Sequence, residues 1–265
     1  MNLKFLHMLF SKMAYAIMLS LLFVACDPEE DDNEPVVASS YKLGGTNYTV
    51  DTLANSVTIK EGSDKAGFGA VTYTMYADTT YVLDGFVFVN AGQKLIIQPG
   101  TIIKGKQGTG ANSSALIVAR GGTIMAEGTA AKPIIFTSAN DPVSWKNGVL
   151  SDQTTLNPRL SGQWGGLIVL GKGEINVANG EQLIEGLPET ENRGVYGGSN
   201  DADNSGIIKY VSIRHGGTEI APDKEINGLS LGGIGSGTVV EYVEVFGNED
   251  DGFEFWGGNA TYKYL

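Results

Sequence analysis

Two acidic clusters and a few aromatic and basic residues are the parts of this 265-residue sequence whose types and spacing suit chemistry. Asp201-Ala202-Asp203-Asn204-Ser205-Gly206 sets side-chain oxygens at alternate positions, followed by glycine. Alternation aims successive oxygens at one point, and glycine allows the sharp turn. Asp201, Asp203 and Ser205 are therefore candidate calcium ligands. The second half of such a loop is missing, because Ser212 stands where a bidentate Glu is expected. A distant carboxylate would have to complete the shell; the alternative is a solvated turn.

Glu249, Asp250 and Asp251 form the second cluster. Neighbouring carboxylates repel, so they bind a cation, share a proton or face water. A carboxylate pair can also run glycoside hydrolysis. Arg214 could act as a base only if a neighbour masked its proton affinity. Most such Arg side chains at strand ends are solvated or paired. His215 is the one His beyond the leader, which excludes a His-rich zinc site, and a turn position suits it better than catalysis. Trp145, Trp164 and Trp256 are sugar-stacking platforms if exposed and core residues if buried. Trp164 belongs to a repeated motif and is assigned to packing. Trp145 lies between breakers and is the better ligand candidate. No Gly-x-Ser-x-Gly elbow follows a strand.

The elements that must hold these residues repeat. Lys94–Ile103, Ala115–Met125 and Gly166–Val177 each read as a short apolar run, a Gly-containing turn and a second β-rich run. The runs are too short for helices and rich in Ile and Val, so they are strands of a stacked repeat. Phe86–Val89, Lys94–Gln98 and Thr101–Lys104 form one three-strand coil. Ala115–Ala119, Thr123–Glu127 and Ile134–Thr137 form the next. Leu95 and Leu116, 21 residues apart, are taken as equivalent positions one turn on. Ile207–Arg214 recurs 32 residues later as Val239–Phe246. Insertions near 139–163 and 179–205 leave the rod at its corners, where binding loops collect in solenoids. Residues 41–81 do not match the repeat and are assigned as an N-terminal cap, so the coils run over 82–265. Leu265 stops in mid-strand, and the expectation is an N-terminal piece of a longer protein.

The start of the chain is of another kind. Lys4 and Lys12 precede the apolar run Met13–Ala25, which ends at Cys26. This is an export signal over 1–25. Leu22-Phe23-Val24-Ala25-Cys26 resembles the site where a lipoprotein signal peptidase cuts before a lipidated Cys, with Phe23 where Leu is usual. Residues 26–40 are acidic, bounded by Pro28 and Pro35, and expected to be a disordered tether. The net charge is −12, and removing Lys4 and Lys12 makes it more negative. Such a chain repels nucleic acid and suits solubility or divalent cations. Cys26 is the single Cys, so no disulfide supports the fold.

Four segments together carry a family resemblance: Leu95-Ile96-Ile97-Gln98-Pro99-Gly100-Thr101, Trp164–Gly171, Tyr210-Val211-Ser212-Ile213-Arg214 and Asp250-Asp251-Gly252-Phe253-Glu254-Phe255. The chain resembles the right-handed parallel β-helix lipoproteins of Bacteroidetes, which share the pectin-lyase-like fold. The resemblance implies an all-β right-handed parallel β-helix, lipid-anchored through Cys26 to the outer membrane and facing the cell surface. The acidic run after Cys26 also resembles the surface-export signal of that group. Polygalacturonase-like enzymes on this fold carry Asp-Asp followed by Gly-His-Gly and a basic motif. Here Arg214-His215-Gly216-Gly217 precedes Asp250-Asp251, and the later elements do not appear. No catalytic set is assigned. The expected function is a binding, adhesive or structural module directed at polysaccharide or host-surface glycans, with calcium as a structural ion. The alternative is a polysaccharide lyase or glycoside hydrolase.

Overall fold

The computed structural model describes residues 39–52, 54–146, 149–151, 156–157, 159–221 and 224–265. Strands account for nearly all regular structure there, with two single-turn 3-10 helices at Gly110–Asn112 and Asn192–Gly194. Cys26, the 1–25 signal segment and most of the 26–40 tether lie outside the described residues. Ser39 and Ser40, expected at the end of that tether, are instead in the strand Ser39–Leu43, which pairs antiparallel with Thr46–Asp51.

Ser39–Leu43, Thr46–Asp51 and Ser56–Lys60 form an antiparallel meander. Parallel stacking takes over from Ser56–Lys60 onto Thr80–Leu83 and then Ile102–Gly105. Thr72–Met75 likewise stacks on Lys94–Ile97. Parallel pairing therefore begins with Ser56–Lys60, inside the expected 41–81 cap and before the expected coil start at residue 82. Beyond it, the expected all-β parallel β-helix is the fold that forms.

Each coil crosses three faces. One face stacks Phe86–Val89, Ala115–Val118, Leu167–Leu170, Leu229–Ile234 and Phe253–Gly258 in order. The second runs from Thr72–Met75 through Lys94–Ile97, Thr123–Glu127, the first half of Gly206–Arg214 and the first half of Val239–Phe246 to Thr261–Lys263. The third carries Thr80–Leu83, Ile102–Gly105, Ile134–Ser138 and the second halves of the two long strands. Successive side chains on a strand point to opposite sides. Inward positions such as Val87, Leu95, Leu116, Ile124, Phe136, Leu167, Leu229 and Val240 merge into one buried core. Each fully buried aliphatic side chain stabilises by about 1.5–3 kcal/mol relative to exposure.

The coil assignments from sequence hold, but one equivalence does not. Leu116 pairs with Val87 on the first face, whereas Leu95 pairs with Ile124 on the second. The 21-residue interval spans only part of a coil. Turn length varies between coils, and Gly110–Asn112 lengthens this one. The 32-residue recurrence is in register throughout, from Ile207 opposite Val239 to Arg214 opposite Phe246.

The two long strands bend between faces at a left-handed residue. Tyr210 and Tyr242 have φ of 48° and 54°, and Tyr264 continues the column at 56°. Their rings stack at 4.5 and 4.3 Å. Ring stacking offsets the cost of a left-handed non-glycine backbone. Trp164 is fully buried, as expected. It lies near-parallel to Phe136 and donates its indole N–H to the Arg214 carbonyl at 2.8 Å. Gly105 makes room for it: a Cβ there would sit 2.7 Å from the Trp164 ring.

Two outer faces are roofed by insertions. The 139–163 insertion contains the hairpin of Trp145–Lys146 with Val149–Leu150. Val143 and Leu150 from it pack on Ile102 and Ile135 of the third face. The second insertion forms the hairpin of Glu181–Leu183 with Val195–Gly197 and covers the first face.

Candidate functional site

Two outward columns of the first face define the site. In one, Phe88, Ile117, Ile168, Ser230 and Glu254 stand in register on successive coils. In the other, Leu170, Gly232 and Trp256 follow one another. Phe88, Ile117, Ile168 and Leu170 are sealed under Ile175, Ile184, Leu187, Tyr196 and Ile226. The column then turns polar where the cover thins. Gly232 makes that possible, because a Cβ there would meet the Tyr196 ring at 2.7 Å. Tyr196 settles on the bare strand and leans against Trp256 at 6.4 Å with a 56° tilt.

Trp256 is half-buried between two clefts. One is about 640 Å³ and includes Glu174, Gln182, Tyr196, Asp201 and Asn259 in its wall. The other is about 500 Å³, with Gln182, Glu185, Glu189 and Lys224 in its wall. Such volumes match small-molecule pockets, and an indole between them offers an apolar platform with a polar edge.

Glu254 is the perturbed acid of the site. Burial raises its carboxyl above the usual carboxylate range, and Glu185 and Asp250 add to the rise. Trp256 and Asn227 act the other way. Asn227 is 2% exposed and donates its Nδ2 to Glu254 Oε2, while its own Oδ1 has no partner. No acceptor meets the buried Trp256 Nε1–H in hydrogen-bonding geometry, although Glu254 is near enough to interact with it. The Tyr196 phenol is raised by burial and then by the nearby Glu254.

The residues singled out from sequence are dispersed. Asp201 is exposed on the wall of the larger cleft, and its Oδ1 accepts from the Glu174 N–H at 3.0 Å. Asp203 and Ser205 are buried, the Ser205 hydroxyl donating to Asp203 Oδ2 at 3.3 Å. This loop braces the neighbouring turn: Ser236 donates through its backbone N–H to the Asp201 carbonyl, and Ser205 N–H donates to Thr238 Oγ1. Glu249 accepts from the Ser161 hydroxyl at a corner. Asn248 Nδ2 donates to the Asp250 and Asp251 carbonyls at 3.2 and 2.8 Å, and both side chains are exposed. Of that cluster, Asp250 is the residue whose charge reaches Glu254. Among the described residues, no three His, Cys, Asp or Glu converge to hold a metal ion.

Arg214 and His215 lie apart, at the end of the third face. Arg214 Nε donates to Ser212 Oγ at 2.9 Å, and Ser212 Oγ donates to Glu244 at 2.8 Å. His215 is a buried turn residue at φ 59°, with Nδ1–H donated to the Leu160 carbonyl at 2.6 Å. Trp145 is in a strand, and its side chain lies outside the described residues. Glu254, Asn227 and Tyr196 escape sequence reading. The one available signal was Phe253-Glu254-Phe255-Trp256, an alternation that turns Glu254 and Trp256 to the same side.

A family model for the pectate-lyase-like β-helix domain matches residues 67–265. The chain belongs to that family. Comparisons with curated proteins and with solved structures returned no match. The matched span begins after Ser56–Lys60, the first strand to pair in parallel, and just ahead of Thr72–Met75. A pectate-lyase-like β-helix is compatible with glycan binding and with lyase or hydrolase chemistry, since fold does not decide function.

Proposed function

We propose that the protein is a glycan-binding module that holds a saccharide against Trp256. The observation that carries this reading is the placement of Trp256: half-buried, turned outward, with a cleft on each side. A sugar ring stacks its C–H face on an indole, while its hydroxyls find Gln182, Tyr196 and Asn259 as partners. The clefts extend on both sides, which suits an oligomer rather than a monosaccharide. The module is anchored to the outer membrane by lipid on Cys26 and displayed at the cell surface. Cys26→Ser expressed with radiolabelled fatty acid tests the anchor: label retained by the variant refutes it.

The test of binding is isothermal titration of the full chain with a panel of oligosaccharides, beside Trp256→Ala. Stacking of this kind is worth about 1–3 kcal/mol, so Trp256→Ala should weaken binding by about tenfold or more. Unchanged affinity in the variant would sink the reading.

A second reading is hydrolysis or elimination at the same place. Glu254 favours it, being a carboxyl raised by burial beside two further carboxylates, Glu185 and Asp250. Reducing-end or unsaturated product released by the wild type and lost in Glu254→Gln would establish it.

A further inference from the structure

We propose that the Trp256 clefts select glycans bearing free amino groups over neutral and acidic ones. This rests on the glycan-binding reading and names the class of sugar. Carboxylates stand along both clefts: Glu174 and Asp201 on one side of Trp256, Glu185 and Glu189 on the other. Glu254 lines neither cleft but is near enough to Trp256 and Glu185 to interact with both. The one cation in either wall, Lys224, is 3.8 Å from Glu189 and so already answered. A uronate polymer would set like charge against like charge along its whole length, a juxtaposition that interfaces avoid.

The carboxylates also do not converge. Among the described residues no three of them can hold a metal ion together. Charge spread along a groove matches a ligand whose positive charges repeat along a chain, rather than one compact cation. One further feature points to positive charge on the ligand. The Trp256 ring face attracts a cation as well as a sugar C–H face. An ammonium group has three donors and no acceptor, so it suits an indole flanked by carboxylates.

The test is titration of the full chain, at mildly acidic pH and low salt, with three oligomers of equal length. These are a β-1,4-linked glucosamine oligomer, its fully N-acetylated form and an oligogalacturonate. The amine form should bind about tenfold tighter than the acetylated form, and oligogalacturonate should bind weakest. Added salt should narrow the amine preference, since exposed charge pairs are screened. Glu185→Gln with Glu254→Gln should narrow it too. Equal affinity for amine and acetylated oligomers, or tighter binding of oligogalacturonate, overturns the inference and leaves the binding reading intact. Binding of none of the three, or binding that survives Trp256→Ala unchanged, overturns the binding reading and the inference with it.

Discussion

Arg193 ties the second insertion to the first coil, and Arg193→Met should release it. Its Nε and Nη2 donate to the two oxygens of Glu191, each at 2.9 Å. Its Nη1 donates to Glu61 at 2.8 Å, and its Cζ lies 3.6 Å from the Phe88 ring centre. Lys65 adds a second cation 3.0 Å from Glu191. Side-chain exposure is 19% for Arg193, 11% for Glu191 and 7% for Glu61. Removing one partner from a buried pair costs about 3–5 kcal/mol, chiefly because the other charge is left unpaired. Lys65 still answers Glu191, so the lower end applies to the pair. Loss of the cation–π contact adds about 1 kcal/mol. Methionine keeps most of the aliphatic stem, so packing changes little. The expected destabilisation is about 3–4 kcal/mol.

Urea unfolding at neutral pH measures it, and hydrogen exchange over 181–197 shows whether the insertion loosens first. The control is Glu61→Gln with Glu191→Gln in the Arg193→Met background. Neutralising both acids should recover most of the loss, because the unpaired charges cause it. A loss under about 1 kcal/mol for Arg193→Met, or no recovery in the triple variant, would refute the reasoning.

Other outcomes follow from the same structure. The Arg193 guanidinium holds the Glu191 carboxyl down at about 2, against an unfolded value of 4.5. This contribution is therefore complete above pH 4.5 and lost as pH falls toward 2. Linkage gives about 3 kcal/mol as an upper bound, and solvent screening brings it nearer 1–2 kcal/mol; acid titration of stability in wild type and Glu191→Gln checks it. Glu254 has the opposite sign: its folded value is raised, so stability falls as pH rises past 4.5. Glu254→Gln should be more stable than wild type in alkaline buffer and no different in acid, as unfolding at two pH values will show. Gly105→Ala pushes a Cβ to 2.7 Å from the Trp164 ring and should cost about 1–3 kcal/mol in urea unfolding. Tyr242→Val loses two stacked rings and places a β-branched residue at φ 54°, so about 2–4 kcal/mol should be lost by the same measurement.

Strand identity was legible because Ile- and Val-rich runs between glycines leave little else to form. Coil membership was legible for the same reason, as Phe86–Val89, Lys94–Ile97 and Ile102–Gly105 follow one another through short turns. Register was not. Leu95 and Leu116 look alike, yet they sit on different faces, because backbone pairing fixes which strands stack while turn length is free to vary. The calcium-like spacing of Asp201, Asp203 and Ser205 has a second use that spacing cannot exclude: the same loop braces its neighbour, the Asp201 carbonyl accepting from Ser236 and the Ser205 N–H donating to Thr238.

The candidate site was the hardest part to read because it depends on what happens across coils. Glu254 in Phe253-Glu254-Phe255-Trp256 is an ordinary outward residue of a strand. It becomes special because its column is apolar for three coils under the insertion and polar for the last two. The insertion that buries Ile117 and Ile168 is the one that brings Tyr196, Gln182 and Glu185 to Trp256. Roofing and site-building are thus one act of the same hairpin, and Arg193 is the bolt that holds its far turn. A solenoid repeats its core with little variation, so the clefts of its first face gather where the cover over that face stops, which is at Trp256.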